Sequence, residues 1–264
     1  MKIYLITDLE GIAGVARWDQ TGSDQPGYAQ ASRLMTEELR ACVAGIQAVE
    51  ADAEIWVWDA HGPGAIDVER FPRGALLLNR GPIEPPAFLD SSFDAVFFLG
   101  QHARAGTLNG NLAHTYSSQG YGWFKINGLE LGEFGCRAAL AGSLGVPTVF
   151  VSGDDKMMAE ARALIPNIYG AQVKVGLGPQ LALHLAPEDA RDLVRDTAAD
   201  AASAALAAAH PGEIAPFVIP GPPYEQEIRI VGRTDANHLL RQGFCQVDAQ
   251  TFVKRAERLQ DLPI

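Results

Sequence analysis

Long apolar runs are missing from this chain. No stretch approaches the ~18–20 residues of a membrane span, so no membrane partner is expected. Cysteine is scarce. Cys42, Cys136 and Cys245 are isolated, odd in number and form no C-x-x-C pair, which argues against a disulfide framework and a thiolate zinc site. Cys42 and Cys136 fall in helix-like apolar runs and read as small core residues. Basic clusters are also lacking. With 21 Lys and Arg against 32 Asp and Glu, the formal net charge is −11, and nothing resembles a nucleic-acid footprint. MKIYLIT is preceded by no basic region or small-residue cleavage site, so no signal peptide and a cytoplasmic location are expected. Internal repeats are absent.

What remains is ordinary for a globular protein: 264 residues, 47% hydrophobic and 20% charged. That length allows one large α/β domain with a smaller lobe. Residues 3–7, 54–58, 75–78 and 95–99 read as strands. Between the first two, Met35, Leu39, Cys42, Val43, Ile46 and Val49 recur at helical steps within 27–51. The alternation predicts an α/β fold, a mostly parallel sheet flanked by helices. A long, polar, glycine-rich stretch runs from Gly100 to Gly122, a length usually functional or mobile. Residues 123–127 and 147–151 read as strands. Helices are predicted from the 128–133 segment to about Leu144, and over 156–164.

After residue 180 the character changes. An alanine-rich helix covers 187–209 and is stopped by His210-Pro211-Gly212. Residues 216–223 read as a proline-rich linker or edge. Residues 225–231 and 244–248 alternate like antiparallel strands around a short helix at 235–241, and a last helix is predicted over 249–260. His184, His210 and His238 lie here without a cluster of ligand-type residues. The expected organisation is therefore a catalytic domain over 1–180 and a smaller α+β lobe over 181–264 that covers the site or makes subunit contacts.

Four predicted strands end in side chains that bind divalent metals: Asp8 and Glu10, Asp59 and His61, His102, and Asp154 with Asp155. In open α/β sheets, sites form at the carboxyl ends of the strands. Asp8 and Glu10, two apart on extended chain, face the same side and repel unless a cation lies between them; they could equally cap a turn at Gly11. Three of the six histidines, His61, His102 and His114, follow strands in the first half of the chain. A lone loop histidine is usually surface decoration, but three beside Asp8-x-Glu10 are harder to dismiss. Imidazole with carboxylate suits zinc, manganese or iron(II). Glu133, near a helix start, is a further ligand candidate, or else a glutamate favoured by the helix dipole. Asp59 could orient a ligand histidine, and Asp154 and Asp155 could cap the next helix.

ITDLEGIAG at 6–14, DAHG at 59–62, LGQHARAGT at 99–107, AHTYS at 113–117, NGLELGEFG at 127–135 and VSGDD at 151–155 together resemble the M55 family of metallopeptidases. The resemblance implies a binuclear zinc site, with cobalt, manganese or iron as other candidate metals. Asp8 would bridge the ions, Glu10 and His61 would bind one, His102 and Glu133 the other, and His114 would be catalytic. It further implies release of N-terminal D-residues, typically D-Ala, from short peptides and amides, and a homo-oligomer, a decamer of two pentameric rings. Thr7 stands where the family often has Ser, keeping the hydroxyl. The region after Gly14 and the Trp-rich strand at 56–58 differ, which leaves substrate identity open. Two other readings are a different binuclear amidase or phosphoesterase, and a non-catalytic metal-binding assembly protein. Only Arg104 and Lys125 lie near the candidate ligands in sequence, which speaks against phosphate substrates.

Overall fold

A computed structural model describes residues 1–79, 83–207, 214–232 and 235–264. Its centre is a seven-stranded sheet built from β1 (Lys2–Thr7), β2 (Glu54–Asp59), β3 (Ala75–Leu78), β4 (Ala95–Gln101), β7 (Thr148–Asp154), β8 (Tyr169–Gly178) and β9 (Leu181–His184). The order is β3-β2-β1-β4-β7-β8-β9. Only the edge strand β9 runs antiparallel to its neighbour. The order reverses between β1 and β4, whose residues 3–7 pair in parallel with 95–99. That reversal opens a crevice at the carboxyl ends of both strands.

The two faces of β1 show why the sheet is covered on both sides. Ile3 and Leu5 point into one core with Val57, Phe97 and Phe150. Tyr4 and Ile6 point into another with Val96, Phe98 and Val151. Alternation along a strand sends neighbours to opposite faces. The first core is closed by α1 (Tyr28–Val49) packed against α4 (Pro187–Ala207). The second is closed by α2 (Glu133–Ser143) and α3 (Asp155–Leu164). Burying both faces removes most of β1, β4 and β7 from water, the main driving force for the fold.

A second, antiparallel sheet has the order β11-β12-β10-β5-β6. It comprises β5 (Tyr121–Ile126), β6 (Leu129–Leu131), β10 (Tyr224–Ile230), β11 (Cys245–Gln246) and β12 (Thr251–Ala256), with α5 (Asn237–Arg241) before β11. The strand order does not follow a division at residue 180. β9 and α4 belong with the large sheet, whereas β5 and β6, early in the chain, belong with the C-terminal strands.

The helix expected over 249–260 is instead β12 followed by a 3-10 turn at Leu259–Asp261. Short apolar runs do not separate helix from strand by period alone. Here Thr251, Phe252 and Val253 are β-formers, and β10 offers a free edge that takes them. The final residues of the predicted alanine-rich helix and its stop at His210-Pro211-Gly212 lie outside the described residues.

Candidate metal centre

Each candidate ligand is placed by a strand end or a helix start. Asp8 follows β1 directly, and its backbone N–H donates to Leu99 O on β4 at 2.8 Å. The chain then turns against β4. Gly11 N–H donates to Gly100 O at 2.7 Å. A Cβ on Gly11 would lie 2.2 Å from Gln101 O, so only glycine allows this approach of the two loops. Glu10 and Asp8 thereby face His102, which follows β4. His61 follows β2, and Glu133 opens α2.

The six expected residues meet. His61 Nε2 lies 3.3 Å from Glu10 Oε1. His102 Nε2 lies 3.3 Å from Asp8 Oδ2 and 3.4 Å from Glu133 Oε1. His114 Nε2 lies 3.7 Å from Glu133 Oε1. Donor atoms of Asp8, Glu10 and His61 converge within 4.8 Å of one another, as do those of His102, His114 and Glu133. Asp8 Oδ2, Glu10 Oε2 and His102 Nε2 are buried without a hydrogen-bond partner among the described residues. Buried polar atoms seldom lack partners. Three carboxylates and three imidazoles converging with orphaned lone pairs therefore suit divalent cations.

The ring tautomers point the same way. The Nδ1 atoms of His102 and His114 face backbone carbonyls of Ala103 and Leu112, at 3.0 and 2.8 Å. A carbonyl only accepts, so each Nδ1 carries hydrogen and each Nε2 offers a lone pair inward when the ring is neutral.

Without metal, protons take the place of cations. Burial opposes charge on His61, but Glu10 beside it, with Asp8 and Asp59, raises its pKa to about 9. Burial likewise opposes charge on His102, but the carboxylates of Asp8 and Glu133 beside it hold it well above its usual value. Burial, then the charge of Glu10, pushes Asp8 up to about 6. Burial also works against charge on Glu10 and Glu133, but His61 holds the first well below the carboxylate range, and His102 and Arg137 bring the second to about 2. His114 goes the other way: burial, then the charge on His102, lowers it.

The remaining strand-end carboxylates are structural. Asp59 accepts from Ala65 N–H at 3.0 and 2.9 Å and from Ile66 N–H at 3.1 Å, closing the loop that carries His61. His61 Nδ1 has no hydrogen-bond partner among the described residues, so Asp59 does not orient that ring by a hydrogen bond. Asp154 caps α3, accepting from Met157 N–H at 2.8 Å, and also accepts from Asn111 N–H at 3.2 Å. Asp155 accepts from Gly176 N–H at 2.9 Å.

Three contributors were missed in the sequence. Tyr116 N–H donates to Glu133 Oε1 at 2.8 Å, and a backbone donor leaves no residue-type signal. Lys174, fully buried on β8, donates to Glu10 O, to Val15 O at 2.6 Å and to Asn111 Oδ1 at 2.9 Å. It ties the ligand loop after β1 to the loop leading to His114, and burial lowers its pKa to about 8. Arg137 NH2 sits 3.4 Å from Glu133 Oε2, one helical turn on. The i,i+4 spacing of Glu133 and Arg137 was legible. Its presence removes the objection that no basic group lies beside the ligands. Arg104 instead pairs with Glu130 at 3.2 Å, and Lys125 lies over the Trp123 ring.

A switch-point crevice lined by carboxylate and imidazole defines a metal-dependent hydrolase class of site. The model of peptidase family M55, the D-aminopeptidases, matches residues 1–262, and the chain belongs to that family. It is a metallo-aminopeptidase. A D-aminopeptidase from Bacillus subtilis strain 168 is 34% identical over 204 residues, covering 75% of this chain and 73% of the relative. A solved structure described as the Zn-dependent D-aminopeptidase DppA from Bacillus subtilis, a self-compartmentalizing protease, superposes with a TM-score of 0.89 at 29% identity. It covers 99% of this chain and 93% of that one.

Proposed function

We propose that this chain is a binuclear zinc aminopeptidase that hydrolyses N-terminal D-residues, D-Ala among them, from short peptides or amides. The observation that carries the reading is the pair of donor groups, Asp8-Glu10-His61 and His102-His114-Glu133, side by side in one buried crevice. In this reading Glu10 and His61 would hold one ion, His102 and Glu133 would hold the other, and Asp8 would serve both. Manganese, cobalt or iron(II) would suit the same donors. Bound metal supplies a polarised scissile carbonyl and a water acidified towards neutrality.

The chain's own groups do the rest. His114 Nε2 takes a proton from the attacking water and passes it to the leaving amine. Burial opposes charge on this ring, which favours the neutral form that can accept a proton. Leu112 O fixes the ring by holding Nδ1–H, and Trp18 lies edge-on to it at 5.5 Å. Tyr116 N–H and Arg137 hold both oxygens of Glu133 in place.

A homo-oligomer, in the form of two stacked pentameric rings, belongs to the same reading. It is supported by the self-compartmentalizing neighbour and by Leu181 and Leu183, 59% and 65% exposed on the edge strand β9. No helix among the described residues is long and apolar enough to cross a membrane, in keeping with the proposed cytoplasmic location.

The test is a panel of D- and L-aminoacyl p-nitroanilides, dipeptides and a phosphodiester, with zinc present. The reading expects D-aminoacyl substrates to be cleaved in preference to L. Preference for L-substrates removes the D-specific part of it. Cleavage of the phosphodiester alone would contradict the aminopeptidase reading.

A further inference from the structure

Arg137 is more deeply buried than its ion pair requires. Its side chain is 8% exposed, yet only NH2 reaches Glu133. Nε and NH1 are buried with no hydrogen-bond partner among the described residues. The guanidinium is held between aromatic faces, 4.9 Å from the Trp58 ring centre and 5.7 Å from that of Tyr116. Leaving guanidinium donors unpaired in a buried site is costly, so these donors point to an absent acceptor.

The surroundings indicate which acceptor. Arg137 lines a narrow cavity of about 30 Å³, room for a group little larger than a water pair, whose other walls include Tyr4, Trp58 and Leu140. Trp58 also borders the cleft of about 430 Å³ beside His61. Arg137 itself links this cavity to the candidate metal centre, through its contact with Glu133. Glu133 faces the other ligands through Oε1 and Arg137 through Oε2. In a dipeptide, the scissile carbonyl and the terminal carboxylate are separated by one residue, ~3.5 Å of extended chain. A planar fork of donors matches a carboxylate.

We infer that Arg137 is the docking group for the free C-terminal carboxylate of a dipeptide substrate, so that this enzyme selects dipeptide acids over amides. The inference rests on the aminopeptidase reading. It adds a specificity residue on the leaving-group side of the site.

The test compares D-Ala-D-Ala with D-alaninamide on zinc-loaded wild type, Arg137→Met and Arg137→Lys. Arg137→Met should raise KM for the dipeptide roughly 10- to 100-fold more than KM for the amide, the span of a charge-assisted bond, while any loss common to both substrates reports the hold of Arg137 on Glu133. Arg137→Lys should recover part of the dipeptide KM. An equal loss on both substrates overturns the inference and leaves Arg137 as a holder of Glu133. A second readout needs no turnover: calorimetric binding of a reduced-bond dipeptide analogue and of its C-terminal amide. Tighter binding of the free acid by wild type but not by Arg137→Met supports the subsite, and equal binding of acid and amide overturns it. Failure of wild type to cleave either substrate would count against the aminopeptidase reading, while the calorimetric comparison still decides on Arg137.

Discussion

The imidazole rings of His102 and His114 are stacked, with centroids 4.0 Å apart and planes 12° from parallel. The two rings nonetheless have opposite electrostatics. Asp8 and Glu133 favour positive charge on His102, and that charge disfavours a second one on His114. Stacking thus separates a ligand-type histidine from one suited to move a proton. Both Nε2 atoms reach Glu133 Oε1, so the division of roles is open to experiment.

Replacing His114 by Ala should leave zinc content unchanged and lower kcat by about 10²–10⁴-fold, the usual worth of a general acid–base group. His61→Ala should instead lower zinc content together with activity. Metal analysis of both purified variants distinguishes them. Loss of an ion from His114→Ala would make His114 a ligand.

Lys174 predicts a different signature. Lys174→Met removes the donor shared by Glu10 O, Val15 O and Asn111 Oδ1. Stranding buried acceptors costs about 2–5 kcal/mol, read as a lower urea midpoint. Because Glu10 loses its backbone anchor, zinc affinity should fall as well, measurable by chelator competition.

Asp154→Ala tests the structural role of that carboxylate. Losing the cap of α3 costs ~0.5–2 kcal/mol, which lowers Tm by a few degrees for a chain of this size. Zinc content should stay the same. A change in metal stoichiometry would return Asp154 to the site.

The metal-free protein should depend on pH in a stated direction. His61 is raised from 6.5 to about 9 in the folded chain. Its stabilisation is full below 6.5 and lost as pH rises through 9. Glu133 is lowered from 4.5 to about 2, so its stabilisation is present above 4.5 and lost as pH falls towards 2. Thermal scans of chelator-treated protein should therefore show Tm falling between pH 6.5 and 9. Zinc-loaded protein should not show that fall, because the metal takes neutral imidazole.

Much of this was legible in the sequence because strand ends announce themselves. Apolar runs stopping at Asp8, Asp59 and His102 pointed to both the parallel sheet and most of the candidate ligands that the fold brings together. Glu133 came from a helix start. β12 was misread because pairing with β10 on one side and β11 on the other outweighed local period. The role of Tyr116 is carried by a backbone N–H, and that of Lys174 depends on β8 placing it beneath the β1 loop. Neither leaves a local pattern.

The central claim is a two-ion centre that cleaves D-aminoacyl bonds. Its most direct test is to titrate zinc into chelator-stripped protein while following release of D-alanine from D-Ala-D-Ala. The account predicts no release without metal and saturation at two equivalents per chain. Full activity of the metal-free protein, or saturation at one equivalent, would contradict it.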